Sequence, residues 1–93
     1  MNTTVSIVED NRGTREELTK LFNRGPGTQC LRAYESAEAA LAGFAQAPSQ
    51  VAVVDINLPK MSGIDCVRQL KQQHPTTQVL MLTTYEETEL IFN

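Results

Sequence analysis

Acidic and hydroxyl residues follow three apolar segments of the chain, and together they could bind a metal ion and a phosphoryl group. The residues and the runs that precede them are Asp55 after 51–54, Glu9 and Asp10 after 5–8, and Thr83 after 79–82. If these runs are neighbouring parallel strands, their ends meet at one edge of a sheet, where open α/β sheets bind ligands. Carboxylate oxygens are the ligands that Mg²⁺ and Mn²⁺ prefer. The pattern therefore predicts a site for Mg²⁺ (or Mn²⁺) and phosphate.

The chemistry expected of such a site is transfer of a phosphoryl group to Asp55. A carboxylate that attacks phosphorus yields an acyl phosphate, a known form of covalent catalysis. The cation would relieve the repulsion between the clustered carboxylates, and the Thr83 hydroxyl could donate a hydrogen bond to a phosphoryl oxygen. Taken singly, Asp10 and Thr83 are also ordinary helix caps, and Pro59 and Gly63 indicate only a turn. Their combination favours the phosphoryl site.

The elements that must position these residues alternate between strand and helix. Predicted strands cover 5–8, 29–34, 51–54 and 79–82; predicted helices follow Asn11, Ser36 and Gly63, and a fourth begins at the capping-box pattern 84–87 and extends through Phe92. Strands 51–54 and 79–82 are apolar throughout, as is typical of strands that are covered on both faces. This order predicts an α/β fold, a parallel sheet with helices on both faces. With strand order 2-1-3-4, Glu9, Asp10 and Asp55 come together.

Helical spacing also predicts which side chains face the core. The apolar positions at this spacing are Leu18, Leu21 and Phe22 in the first helix, Leu41 and Phe44 in the second, and Ile64, Val67 and Leu70 in the third.

Composition limits the possible classes of function. The 93 residues, 41% of them hydrophobic, indicate one small globular domain. A net charge of −3 with scattered basic residues argues against a nucleic-acid or anionic-membrane surface on this chain.

Without an apolar span or a leader pattern, a cytoplasmic location is expected. Cys30 and Cys66 are expected to be small core residues, and His74 to end a helix rather than bind metal.

Three segments of the chain resemble a known family. They are Val8-Glu9-Asp10-Asn11, the stretch 53–63 that contains Asp-Ile-Asn-Leu-Pro, and the stretch 80–85 that ends Leu-Thr-Thr-Tyr. The chain resembles the receiver domain of bacterial two-component response regulators, from about Val5 to its last residue. The resemblance implies a flavodoxin-like receiver fold for residues 1–93.

The same resemblance implies a role for each site residue. Asp55 would accept a phosphoryl group from a phosphohistidine on a sensor histidine kinase or phosphotransfer protein, or from a small acyl phosphate. Glu9, Asp10, Asp55 and the backbone carbonyl of Asn57 would hold the metal, and Thr83 would move toward the phosphoryl group on activation. Such a domain is a phosphoacceptor with possible autodephosphorylation rather than a turnover enzyme.

The stretch after strand 79–82 both extends and limits the resemblance. Thr-Thr-Tyr-Glu at 83–86 resembles the NarL/FixJ-like subfamily, whose full-length members carry a DNA-binding domain and regulate transcription. The last basic residue is Lys71, so the family's late lysine, switch aromatic, fifth strand and fifth helix are not recognisable. We therefore expect a receiver domain that is incomplete at its C-terminus, with an exposed edge on strand 79–82 that promotes self-association.

Two other functions are compatible with the sequence. The first is a receiver-like module that is not phosphorylated and works by pairing with partners or dimerising. The second is a small Mg²⁺-dependent phosphohydrolase with an aspartyl-phosphate intermediate. Against the hydrolase, the position two residues after Asp55 is Asn57, whose amide cannot act as a general acid or base.

Overall fold

Eight helices and strands make up the part of the chain that the computed structural model describes, residues 2–84 and 88–92. In chain order they are β1 (Thr3–Val8), α1 (Arg12–Arg24), β2 (Thr28–Tyr34), α2 (Ala37–Gln46), β3 (Val51–Asp55), α3 (Gly63–Gln73), β4 (Gln78–Thr84) and β5 (Thr88–Phe92). α1 and α2 begin after Asn11 and Ser36, as the sequence predicts, and α3 begins one residue earlier than predicted, at Gly63. The side chains of Asn11, Ser36 and Ser62 each accept a hydrogen bond from the first turn of the helix that follows.

The predicted parallel sheet is confirmed. The strand order is β2-β1-β3-β4-β5, and the first four strands pair in parallel. β1 lies between β2 and β3, with Val8 opposite both Tyr34 and Val54. The chain therefore reverses its direction of progress across the sheet at β1, and the carboxyl ends of β1 and β3 lie side by side.

Side chains of alternate residues on the strands form two cores, one on each face of the sheet. The larger core lies under α2 and α3 and is built around Phe44 and Leu70, which are fully buried. The smaller core contains Val5, Ile7, Val53 and Leu82, against which Leu18, Phe22 and several half-buried strand residues pack. Helices thus cover both faces, as predicted.

The prediction of a fourth helix through Leu90, Ile91 and Phe92 is wrong, because residues 88–92 form β5. This strand is antiparallel to β4, with Leu80 opposite Phe92 and Thr84 opposite Thr88. The capping-box pattern is a local signal, and its residues 85–87 lie outside the described residues. Ile91 and Phe92 favour strands, and pairing satisfies backbone groups along β4 that would otherwise be open.

The predicted exposed edge of strand four is therefore also wrong. β5 pairs with β4 from Leu80 to Thr84, so a fifth strand is present where none was expected. The argument for self-association through an open β4 edge loses its basis.

Two side chains predicted to face the core are exposed instead. Ile64 is 52% exposed and Leu21 is 58% exposed. The buried positions of α3 are Gly63, Cys66 and Leu70, so the inward face of this helix includes Gly63 and Cys66 in place of Ile64. The remaining predicted core residues are buried or half-buried.

The two cysteines differ in burial. Cys66 is a buried free thiol, and burial raises its pKa to about 11, whereas Cys30 is half-buried. His74 ends α3, donating its backbone N–H to the carbonyl of Leu70. Among the described residues, none of the helices has the length and apolar character needed to cross a bilayer.

Candidate functional site

Three carboxylates meet at the carboxyl ends of β1 and β3. Glu9 and Asp10 directly follow β1, and Asp55 is the last residue of β3. Because these strands are parallel neighbours in register, one ligand oxygen from each side chain lies within 4.8 Å of the other two. Glu9 and Asp55 are buried, whereas Asp10 is exposed. The structure therefore brings together all three carboxylates that the sequence nominates as metal ligands.

Glu9 is the deeply buried carboxylate that follows β1. Its side chain is only 1% exposed, and Oε2 accepts a hydrogen bond from the Asn11 backbone N–H at 3.0 Å. Oε1 is buried and accepts no hydrogen bond from the described residues. Burial, together with the neighbouring carboxyls of Asp55 and Asp10, raises the pKa of Glu9 to about 7, although the Asn11 N–H opposes the shift.

A divalent cation fits this donor set. It would give the buried Oε1 of Glu9 an electrostatic partner and would offset the charge of three clustered acids. Oxygen ligands from carboxylates, completed by water, are the set that Mg²⁺ prefers.

The loop after Asp55 holds this carboxylate in place. Asp55 Oδ1 accepts a hydrogen bond from the backbone N–H of Asn57 at 3.0 Å, and the Ile56 N–H donates to the carbonyl of Leu82 at 2.9 Å. Gly63, the first residue of α3, packs against the backbone of Asp55 and Ile56. A Cβ at this position would lie 2.7 Å from Ile56 Cα and 2.8 Å from the Asp55 carbonyl carbon. Glycine is therefore required for α3 to begin so close to the site.

Asp10 opens onto a surface cleft of about 470 Å³. The lining residues are Asp10, Glu35, Ser36, Glu38, Pro59 and Lys60. Lys60 has a φ of 65°, in the left-handed region, and forms no ion pair with the described residues. Three carboxylates and one ammonium make this cleft more favourable for a cation than for an anion.

For Thr83 and Asn57, the two other site residues predicted from the sequence, the structure defines the backbone position. Thr83 lies on β4, one residue beyond Leu82, which is the register partner of Asp55. Asn57 lies in the loop after β3, with its side chain exposed. The roles of the Thr83 hydroxyl and the Asn57 carbonyl stay predictions.

One residue at this site, Arg15, was not predicted from the sequence. Its Nη1 donates hydrogen bonds to the backbone carbonyls of Glu9 at 2.9 Å and Asp10 at 3.4 Å. The only available signal was a basic residue in the early part of a helix that follows an acidic pair. A side chain that reaches back over the preceding turn is not apparent from such spacing.

Comparison with known proteins identifies the family of this chain. The response regulator receiver domain family model matches residues 5–93. A cyclic di-GMP phosphodiesterase of Thermotoga maritima is 36% identical over 88 residues, which are 95% of this chain and 23% of that protein. The transcriptional regulatory protein YdfI of Bacillus subtilis is 29% identical over 87 residues, which are 94% of this chain and 40% of that protein.

Solved structures show the same fold. A LuxR-family two-component response regulator from Aurantimonas superposes with a TM-score of 0.85 at 23% identity, covering 92% of this chain and 61% of that one. The chain spans well under half the length of the two curated relatives. The family match extends over nearly all of the sequence. This chain belongs to the response regulator receiver domain family of two-component systems.

Proposed function

We propose that this chain accepts a phosphoryl group on Asp55 from a phosphohistidine of a sensor histidine kinase or phosphotransfer protein, in a reaction that requires Mg²⁺ or Mn²⁺. The observation that carries the proposal is the meeting of Glu9, Asp10 and Asp55 within 4.8 Å at the ends of two neighbouring strands. The buried Glu9 Oε1, which lacks a hydrogen-bond donor among the described residues, supports a cation at this point.

The side chains have separate roles in this reaction. Glu9, Asp10 and Asp55, with the backbone carbonyl of Asn57, would hold the metal, which neutralises negative charge on the transferring group when bound. An Asp55 carboxylate oxygen forms the new P–O bond as the P–N bond to the donor imidazole breaks. The imidazole leaves with the electron pair and is then protonated. The Asn57 N–H fixes the orientation of the attacking carboxylate.

Thr83 would report the new phosphoryl group. It follows Leu82, the register partner of Asp55, so it lies at the same end of the sheet. A hydrogen bond from its hydroxyl to a phosphoryl oxygen would shift the population of β4 and the following segment toward a second arrangement. That change would control an output domain, and we propose transcription in the cytoplasm as the controlled process.

The first test is intact mass after incubation with acetyl phosphate and Mg²⁺. We expect one phosphoryl adduct on the parent, no adduct on Asp55→Asn, and no adduct when the metal is removed by chelation. Asp65→Asn is the matched control, because Asp65 is an exposed aspartate whose partner is Arg68 on the same helix. An adduct that persists in Asp55→Asn would contradict the assignment of the phosphoacceptor.

One observation favours a second candidate, a metal-binding interaction module that takes up no phosphoryl group. The cleft beside Asp10 is lined by three acidic side chains and one lysine, which favours cations over phosphate. Titration calorimetry with Mg²⁺ separates the two functions. Metal binding without an adduct from acetyl phosphate supports the module, whereas metal-dependent adduct formation rejects it.

A further inference from the structure

The turn between β1 and α1 carries two of the three carboxylates of the site. β1 ends at Val8 and α1 begins at Arg12, so the backbone of Glu9 and Asp10 belongs to neither element. The Glu9 N–H is still bonded to the carbonyl of Tyr34 on β2 at 3.0 Å. The carbonyls of Glu9 and Asp10 lie beyond the last paired residue of β1. Strand pairing therefore does not provide them with hydrogen-bond donors.

Arg15 supplies those donors. Its half-buried side chain turns back from α1, and a single nitrogen, Nη1, lies 2.9 Å from the Glu9 carbonyl oxygen and 3.4 Å from that of Asp10. The contact to the Glu9 carbonyl has the length of a charge-assisted hydrogen bond, which is stronger than one from a neutral donor, and the longer contact to the Asp10 carbonyl is weaker. The peptide groups that follow Glu9 and Asp10 are therefore both tied to α1.

Three other hydrogen bonds close the same turn. The Asn11 N–H donates to Glu9 Oε2 at 3.0 Å, the Asn11 side chain accepts from the Thr14 N–H at 2.9 Å, and the Arg15 N–H donates to the Asn11 carbonyl at 2.9 Å. Asn11 thus holds the carboxylate of Glu9, and Arg15 holds the backbone carbonyls of Glu9 and Asp10. Because the direction of a side chain follows its backbone, the two contacts together determine where the acids point.

We infer that Arg15 is a positioning residue of the metal site: by holding the carbonyls of Glu9 and Asp10 it sets the affinity for the divalent cation. This inference rests on the proposed function, which requires a cation at these carboxylates. Groups that orient metal ligands typically change metal affinity by about 10-fold or more when they are removed.

Charge and positioning predict opposite effects here, so they can be separated. If Arg15 acted only through its positive charge, its removal would tighten Mg²⁺ binding, because one repulsive charge near the cation would be gone. If Arg15 holds the ligands, its removal weakens Mg²⁺ binding despite that gain. A loss of affinity is therefore specific to positioning.

The test measures the Kd for Mg²⁺ by titration calorimetry and the urea midpoint of unfolding for four proteins. These are the parent, Arg15→Gln, Arg15→Lys and the control Arg12→Gln. Arg12 is matched in charge and lies on the first turn of the same helix, but its side chain is 83% exposed and pairs with Glu16. We expect Arg15→Gln to bind Mg²⁺ about 10-fold more weakly. Arg12→Gln should bind as the parent does or slightly more tightly, and Arg15→Lys should fall between parent and Arg15→Gln.

Other outcomes overturn the inference in distinct ways. If Arg15→Gln binds Mg²⁺ as tightly as the parent and only its urea midpoint falls, Arg15 is structural and the inference is wrong. If Arg15→Gln does not fold, Arg15→Lys decides the question: weaker Mg²⁺ binding at an unchanged midpoint supports positioning, and equal binding rejects it. If the parent itself does not bind Mg²⁺, the proposed function fails and the inference fails with it.

Discussion

At the scale of single residues, Glu9 is a buried carboxyl of the site that changes its protonation near neutral pH. Its pKa is raised to about 7, chiefly by burial, so the folded chain keeps a proton that an unfolded chain releases near pH 4.5. The stability that this proton contributes is fully present below pH 4.5 and is lost as the pH rises through 7.

We therefore expect the Glu9→Gln substitution to alter the pH dependence of unfolding. Between pH 4.5 and pH 7.5 the metal-free parent should lose up to about 3 kcal/mol of unfolding free energy that Glu9→Gln retains, since glutamine stays neutral. Urea titrations of both proteins at several pH values, with chelator present, measure the difference. Parallel pH profiles for the two proteins would show that the raised pKa is wrong. Added Mg²⁺ should restore parent stability at pH 7.5, because the cation favours the ionised carboxylate.

Lys60 affects stability through its backbone conformation. Its φ of 65° lies where a side chain costs about 1–2 kcal/mol relative to glycine. Lys60→Gly should raise the unfolding free energy by about 0.5–1 kcal/mol, after allowance for the greater flexibility of glycine in the unfolded chain.

The matched comparison for Lys60 is Gly27→Ala. Gly27 has a φ of 87° and no neighbouring atom within 4 Å of an added Cβ. Its substitution therefore changes only the conformational energy of the backbone. We expect Gly27→Ala to lower stability by about 1 kcal/mol. Changes of the same sign in the two variants would contradict the backbone explanation.

At the scale of elements, the junction of β3 and α3 is a close backbone contact beside the site. The N-terminus of α3 packs against the backbone of Asp55 through Gly63, and the Gly63 N–H donates to the carbonyl of Ile56 at 3.2 Å. This contact fixes both the start of the helix and the direction in which its buried face points.

Gly63→Ala should therefore disturb the site and the helix together. The added methyl group would overlap the carbonyl of Asp55, so the loop must shift, at a cost of about 1–3 kcal/mol in stability. We also expect slower formation of the Asp55 adduct from acetyl phosphate. Gly13→Ala is a suitable control, because its Cβ would meet only an ordinary contact at 3.4 Å from Asn11 Oδ1. Equal adduct rates in the parent and Gly63→Ala would show that the close approach does not control the site.

Features that depend on local sequence patterns could be predicted, whereas features that depend on packing at this junction could not. The end of β1 at Val8, the end of β3 to within one residue and the caps at Asn11 and Ser36 depend on local patterns, so the sequence alone could predict them. The outward position of Ile64 was not predictable, because the packing of Gly63 sets the rotation of α3. Residues 88–92 became a strand through pairing with β4, a tertiary effect that outweighs a local capping pattern.

At the scale of the whole molecule, the sheet contains two kinds of strand pairing. β4 and β5 are consecutive in the chain and antiparallel, whereas β1 pairs with β3 only after α1, β2 and α2 have intervened. The candidate site lies on the second kind of contact, since its carboxylates follow β1 and end β3.

That separation has a consequence for the order in which the chain folds. Pairs close in sequence can form early, whereas joining β1 to β3 closes a loop of more than forty residues and is entropically costly. Glu9 and Asp55 therefore meet late, and a partly folded chain has no complete set of ligands to offer a cation. Mg²⁺ should then slow unfolding and leave the rate of refolding nearly unchanged, which stopped-flow denaturant jumps can measure. A clear acceleration of refolding by Mg²⁺ would place the β1–β3 contact in the folding nucleus. If unfolding is slowed as expected, the bound cation would prolong the lifetime of the folded domain without helping it to form.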